Sequence, residues 1–135
     1  MSISTERDTY VARCLRVAAA AQSYGVTLTK HKKEHVVEVS AGGKSVQFPI
    51  VTDDRLWGQT TVEEAFYAVL VDARGWAAAN LSDAIVVPMT DDVEKGEFNL
   101  VKRDLQDERA RMSDLTAMLG GDDKLAALYT TADLA

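Results

Sequence analysis

The chain reads as an α+β protein: a three-stranded antiparallel β-meander packed by helices in the order α-β-β-β-α, followed by a long C-terminal helix and a short terminal helix. The sheet is predicted by strict alternation between Val26 and Val51. Val37 and Val39 oppose Glu38 and Ser40, and Val46, Phe48 and Ile50 oppose Ser45 and Gln47, the period of half-buried strands. Gly42-Gly43, between those two runs, accepts the positive φ values of a tight hairpin turn. On both sides of this stretch the apolar spacing changes to three and four, the period of helices that cover a sheet.

Ser4 or Thr5 is expected to cap the first helix, with Glu6 and Asp8 in its opening turn where the helix dipole favours acids. Val11, Leu15 and Ala18 form its apolar stripe, flanked by Cys14 and Val17, and Gly25 supplies the stop. Val26 and Leu28, alternating with Thr27 and Thr29, make the first strand, joined to the hairpin by the basic segment Lys30-His31-Lys32-Lys33. Thr52 to Gln59 reads as a loop, after which Thr60-x-x-Glu63 offers a capping box for a second helix. Its buried face is Val62, Phe66, Val69 and Ala73, widened by Ala65 and Leu70, and Gly75 is expected to end or bend it. Trp76 to Asn80 fits no single pattern. Leu81 to Val87 fits either a short helix or a buried extended run, limited by Pro88.

From Asp92 to Leu119 the apolar positions Phe98, Val101, Leu105, Met112, Leu115 and Leu119 recur in steps of three and four, with Glu108 breaking the series. A helix of about 27 residues would be roughly 40 Å long. That is more than a small sheet covers, so part of the stripe is expected to meet another helix. Gly120-Gly121 ends it. Asp122 is expected to cap a last helix carrying Leu125, Leu128 and Tyr129, with fraying beyond.

The 135 residues are expected to form a single domain (1–135), with a core module over about 5–88 and a helical tail over about 90–130, neither of which has much core alone. The net charge of −6 is unevenly spread. Residues 1–60 carry 8 lysines and arginines against 6 acids, and residues 61–135 carry 7 against 15. Basic surface is therefore expected near the sheet, and the C-terminal half is expected to repel polyanions. Cys14, the one cysteine, rules out an internal disulfide and reads as a small buried hydrophobe. No basic leader or run of membrane-spanning length is present, which leads us to expect a cytoplasmic protein without membrane contact.

The residues give no chemistry of catalysis. His31 and His35 are four apart in an extended segment, some 13 Å along a strand, with no cysteine or acid at metal-ligand spacing. They are expected to be exposed. Asp53-Asp54 and Asp91-Asp92 each precede a turn or helix, where aspartates cap. Phosphate loop, nucleophile elbow and Cys/His dyad are all missing from the sequence. We expect no catalytic, cofactor-binding or metal-binding residues, and no enzyme.

Binding surfaces remain. In element order alone the chain resembles the double-stranded RNA-binding module, and Lys30, Lys32, Lys33 and Lys44 would be its basic loop contacts. Glu63 and Glu64 stand where that module places lysines, so direct nucleic-acid binding is disfavoured. The acidic half offers the converse. Asp91, Asp92, Glu94, Glu97, Asp104 and Asp107 are candidate contacts to a basic protein surface. Intervening bases leave Thr90 to Asp114 with eight acids against five bases, too little charge to imitate DNA.

Four segments carry a wider likeness: Val26-Thr27-Leu28-Thr29, Ser45-Val46-Gln47-Phe48, the run from Thr61-Val62-Glu63-Glu64 to Val71-Asp72-Ala73, and Ala117-Met118-Leu119-Gly120. In their order the chain resembles a loose group of small accessory proteins of bacteriophages and prophages, a class that includes anti-CRISPR proteins. The resemblance implies a mobile-element accessory protein, and with the acidic C-terminal half it leads us to expect an inhibitor that binds a host protein or nucleoprotein defence complex with a basic surface and occludes it. The alternative is a homo-oligomeric phage structural, assembly or regulatory protein, a homodimer joined through Phe98, Val101, Leu105, Met112 and Leu115, with Glu108 met by Arg109 or Arg111 of the second copy. A nucleic-acid-binding regulator is the third reading.

Overall fold

A computed structural model describes residues 3–81 and 107–134. The elements are α1 (Ile3–Ser23), β1 (Thr27–His31), β2 (Val36–Ala41), β3 (Lys44–Pro49), α2 (Asp54–Gln59), α3 (Val62–Leu81), α4 (helical over 107–119) and α5 (Asp122–Thr131). The expected α+β class and meander are present: the sheet is antiparallel in the order β1-β2-β3. Of the long helix, the stretch from 92 to 106 lies outside the described residues.

The pairing puts Leu28 opposite Val39 and Lys30 opposite Val37 on one side of β2, and Val37 opposite Phe48 and Val39 opposite Val46 on the other. Alternation then sends Val26, Leu28, Val37, Val39, Val46 and Phe48 to one face, and all six are buried. Gly42 and Gly43 turn the hairpin at φ of 57° and 79°, values that glycine reaches without strain.

Helices cover that face. α1 contributes Cys14, Val17, Ala18 and Ala21, α3 contributes Ala65, Phe66, Val69, Leu70 and Ala73, α4 contributes Met112, Leu115 and Leu119, and α5 contributes Leu128. Leu15, expected in the α1 stripe, is 51% exposed. The stripe is rotated: small residues at 14, 18 and 21 bring the helix backbone close to its neighbours, and Leu15 falls on the side that carries Arg16 and Ala19. Lys124 lies over the ring of Tyr24 and Arg13 lies 3.2 Å from Asp133, so α1 and α5 run antiparallel.

Several boundaries differ from the expectation. α1 is already helical at Ile3, which puts Ser4 and Thr5 inside its first turn. The segment expected as a loop contains α2, capped by the Asp53 side chain, which accepts from Leu56 N–H at 2.8 Å. The capping box of α3 sits one residue later than expected. Thr61 Oγ1 accepts from Glu64 N–H at 3.1 Å while Glu64 Oε1 reaches back to the Thr61 hydroxyl at 3.1 Å. Gly75 does not end α3, which continues to Leu81, because a lone glycine costs a helix only about 1 kcal/mol.

Gly120 and Gly121 do end α4. Both sit at positive φ, and Gly121 N–H closes on Thr116 C=O at 2.9 Å. The cap of α5 is Gly121 rather than Asp122, which lies within the first turn. The tail is pinned rather than frayed: Ala132 is buried, and Leu134 C=O accepts from Arg74 Nε at 2.9 Å. Replacing Thr61 with Ala removes both bonds of the capping box and is expected to cost about 1 kcal/mol in urea denaturation. The same change at Thr60 should cost less, and an equal loss at both would place the box where the sequence suggested.

Candidate functional site

Among the described residues three surfaces carry polar groups in number: the open face of the sheet, the end of the sheet where α2 docks, and the outer sides of α4 and α5.

On the open face, register sets Thr27, Ser40 and Ser45 in one row, Thr29, Glu38 and Gln47 in the next, and His31, Val36 and Pro49 in the third. His31 Nε2 lies 3.1 Å from Glu38 Oε1, and Gln47 donates to Glu38 Oε2 at 3.5 Å. The contact with His31, helped by Ser45 and Gln47, holds the Glu38 carboxyl below its ordinary range.

At the end of the sheet, Trp57 of α2 is buried and its indole N–H donates to His31 C=O at 3.0 Å. The Lys30 ammonium lies 4.7 Å from the centre of that ring. It donates to Trp57 C=O and, at 2.6 Å, to Thr60 C=O, two carbonyls at the C-terminal end of α2. His35, at φ 50°, lies 2.7 Å from Asp54 Oδ1 through Nε2, and its ring centre is 5.6 Å from that of Trp57. Both histidines are therefore partnered and partly covered, not free on the surface as expected: His31 meets Glu38 of the neighbouring strand, and His35 lies under α2, which folds over a turn that the sequence left bare. Lys30 is likewise tied down and is no contact for an external phosphate. Lys32, Lys33 and Lys44 are exposed.

Of the six candidate acidic contacts, Asp107 alone falls among the described residues, and it is exposed at the start of the described part of α4. Asp91, Asp92, Glu94, Glu97 and Asp104 lie outside them. Exposed acids continue along the surface at Asp114, Asp122 and Asp123. Phe98, Val101 and Leu105 of the candidate seam also lie outside the described residues. Met112 and Leu115 are 5% and 0% exposed within the core of the one chain, so neither is free to meet a second copy. Glu108 is satisfied by Arg111 of its own helix at 3.0 Å and needs no base from another chain.

Among the described residues the clefts show little convergent chemistry. One of about 520 Å³ opens between α3, α4 and α5, with Met112, Leu125 and Tyr129 among its apolar walls and Arg109 and Asp122 among its polar lining. Another, of about 490 Å³, separates the hairpin tip at Ala41, Gly42, Lys44 and Ser45 from Asp114, Ala117 and Met118 of α4. Asp72 and Glu108 share a small cleft beside Phe48 and Ile50, where partial burial raises the Asp72 carboxyl. Between α1 and α3, burial pushes the Tyr10 phenol up to about 12, with Cys14 next to it, and raises the Cys14 thiol as well. A raised thiol stays protonated and is a weak nucleophile. Among the described residues no three His, Cys, Asp or Glu side chains are grouped to hold a metal ion, and no helix is long and apolar enough to cross a membrane.

The contact between α2 and the turn is what the sequence reading missed. Its signal was available: Asp53 three residues before Leu56, the spacing of an N-cap, followed by a tryptophan with no place in a loop. Comparison with protein-family models, with curated proteins and with solved structures finds no match.

Proposed function

We propose that the chain acts by binding: an inhibitor of the mobile-element type that docks on a host protein or nucleoprotein complex and covers its working surface. Carboxylates of its C-terminal half would meet lysines and arginines of the partner. The observation that carries this reading is the charge left outward on α4 and α5, apart from the exposed lysines Lys32, Lys33 and Lys44 at the sheet. Lys30, His31, His35, Arg13 and Arg111 each face a partner within the fold, whereas Asp107, Asp114, Asp122 and Asp123 stand exposed along α4 and α5. Exposed bases on those two helices are Arg109 and Lys124 alone. A mildly acidic helical surface suits recognition of a basic patch, where complementary charge raises the association rate and excludes wrong partners. The competing reading, an assembly protein joined through the helical seam, loses Met112 and Leu115 to the core.

The test is capture of partners from a bacterial lysate on the immobilised chain, followed by measured affinity for what is retained. Association is expected to slow steeply as salt rises from about 0.05 to 0.5 M, over which the screening length falls to a few ångströms. Asp107→Lys combined with Asp114→Lys should weaken binding about tenfold or more at the lower salt. Retention that neither salt nor the double reversal changes would sink the electrostatic reading.

A further inference from the structure

The edges of the sheet are not equivalent. Ile50 N–H donates to His35 C=O, and Val36 lies opposite Pro49, which makes Val36–Pro49 a pair without mutual hydrogen bonds. Strict alternation then turns the backbone groups of Val37, Val39 and Ala41 toward β3, and those of Val36, Glu38 and Ser40 toward β1. On β1 their partners Thr27, Thr29 and His31 point inward, leaving N–H and C=O of Leu28 and Lys30 directed out of the sheet. On β3 the outward residues are Ser45, Gln47 and Pro49. Pro49 has no N–H to offer, and α4 stands beside Lys44 and Ser45 across the cleft lined by Asp114 and Met118. β3 is thus a blunted edge. β1 contains no proline, its register with β2 runs unbroken from Thr27 to His31 without a bulge, and its outward groups are spaced as a template for another strand.

We propose that β1 pairs antiparallel with β1 of a second copy of this chain about a two-fold axis at Thr29, joining two sheets into one of six strands. The occupant follows from self-complementarity. With Thr29 facing Thr29 of the second copy, Leu28 of each chain lies opposite Lys30 of the other, and the four outward groups of each edge are satisfied by four hydrogen bonds across the axis. No like charges face each other: Lys30 meets Leu28, and His31 meets Thr27. Thr29 is exposed and falls in the close, non-hydrogen-bonded type of pair, where two threonines interact favourably. Lys32 and Lys33 in the turn are carried to opposite ends of the joined strands. The contact is separate from the acidic surface of α4 and α5, so a dimer would present two such surfaces.

Thr29→Cys tests the register directly. In a non-hydrogen-bonded pair the two Cα atoms lie about 4.5 Å apart, within disulfide range. Cys14 is buried, so the added thiol is the one available to mild oxidant. A covalent dimer of twice 14.7 kDa is expected from Thr29→Cys and not from Gln47→Cys, equally exposed in the same row on β3. Equal cross-linking at both positions would overturn the proposal. Reversible association is checked by sedimentation of the unmodified chain. Thr29→Glu and Thr29→Lys should each dissociate about tenfold more readily, because like charges then face each other at the axis, while their mixture should recover a heterodimer. Circular dichroism of each variant separates lost pairing from lost folding. A single-chain mass up to about 200 µM, a concentration at which even weak pairing populates a dimer, would overturn the pairing and leave this edge to a foreign strand.

Discussion

Replacing Phe66 with Ala is expected to lower the unfolding free energy by about 3 to 5 kcal/mol, a large part of what a domain of this size possesses. Phe66 is fully buried on α3, between Ala65 and Val69 on the face turned to the core, and its ring belongs to the same apolar cluster as the sheet residues and the inner faces of α1 and α4. Truncation loses the transfer free energy of the ring and leaves a cavity that several elements would have to collapse to fill. Phe48, 2% exposed near the end of β3 and opposite Val37, is expected to behave alike. Val71, on the outer side of the same helix and 42% exposed, provides the control, with a change to Ala expected to move stability by less than about 0.5 kcal/mol. Urea denaturation with an unchanged slope is the measurement. A loss below about 1 kcal/mol at both phenylalanines would mean that the buried faces are wrongly assigned.

The apolar faces were legible because their periods are strict. Val37, Val39, Val46 and Phe48 alternate without exception, and Phe66, Val69, Leu70 and Ala73 keep helical spacing, so both pointed to the core before any coordinates did. Leu15 shows the limit of that logic. A stripe drawn through the largest apolar residues placed it inside, whereas close helix packing selected Cys14, Ala18 and Ala21, and hydrophobicity alone does not register how near two backbones come. Local chemistry was legible to within a residue: Thr60 and Thr61 are equally good caps by composition, and which one starts the helix depends on where the chain leaves α2. What the sequence did not reveal is polar pairing between elements. His31 with Glu38, His35 with Asp54, Lys30 with Thr60 C=O and Arg13 with Asp133 all join positions whose proximity exists once the fold has formed. For the same reason Lys30 looked like a surface contact and the last residues looked loose.

Trp57→Ala is the second large effect, expected to cost about 3 to 5 kcal/mol and to act on a defined place. α2 has six residues, too short to persist in water on its own helical propensity, so what holds it must be tertiary. Trp57 supplies most of that hold: it is 2% exposed, donates to His31 C=O, lies under Lys30 and packs beside His35. Its removal leaves a cavity, an indole-less His31 carbonyl and an ammonium with no ring beneath it. Amide exchange over 54–60 should therefore accelerate more than exchange in β2, whose inward groups are held by two neighbouring strands. Trp57→Phe separates the contributions, since it keeps much of the buried area and loses the indole N–H, at an expected cost of about 1 to 2 kcal/mol. Lys30→Met keeps the apolar stem and removes both carbonyl contacts, and in combination with Trp57→Ala it should be less harmful than the sum of the two changes by about 1 kcal/mol, because each variant removes part of what the other uses. Strict additivity would separate Lys30 from the tryptophan. A loss below about 1 kcal/mol for Trp57→Ala, or exchange over 54–60 no faster than in the intact chain, would show that α2 is held by its Asp53 cap and the Asp54–His35 contact instead.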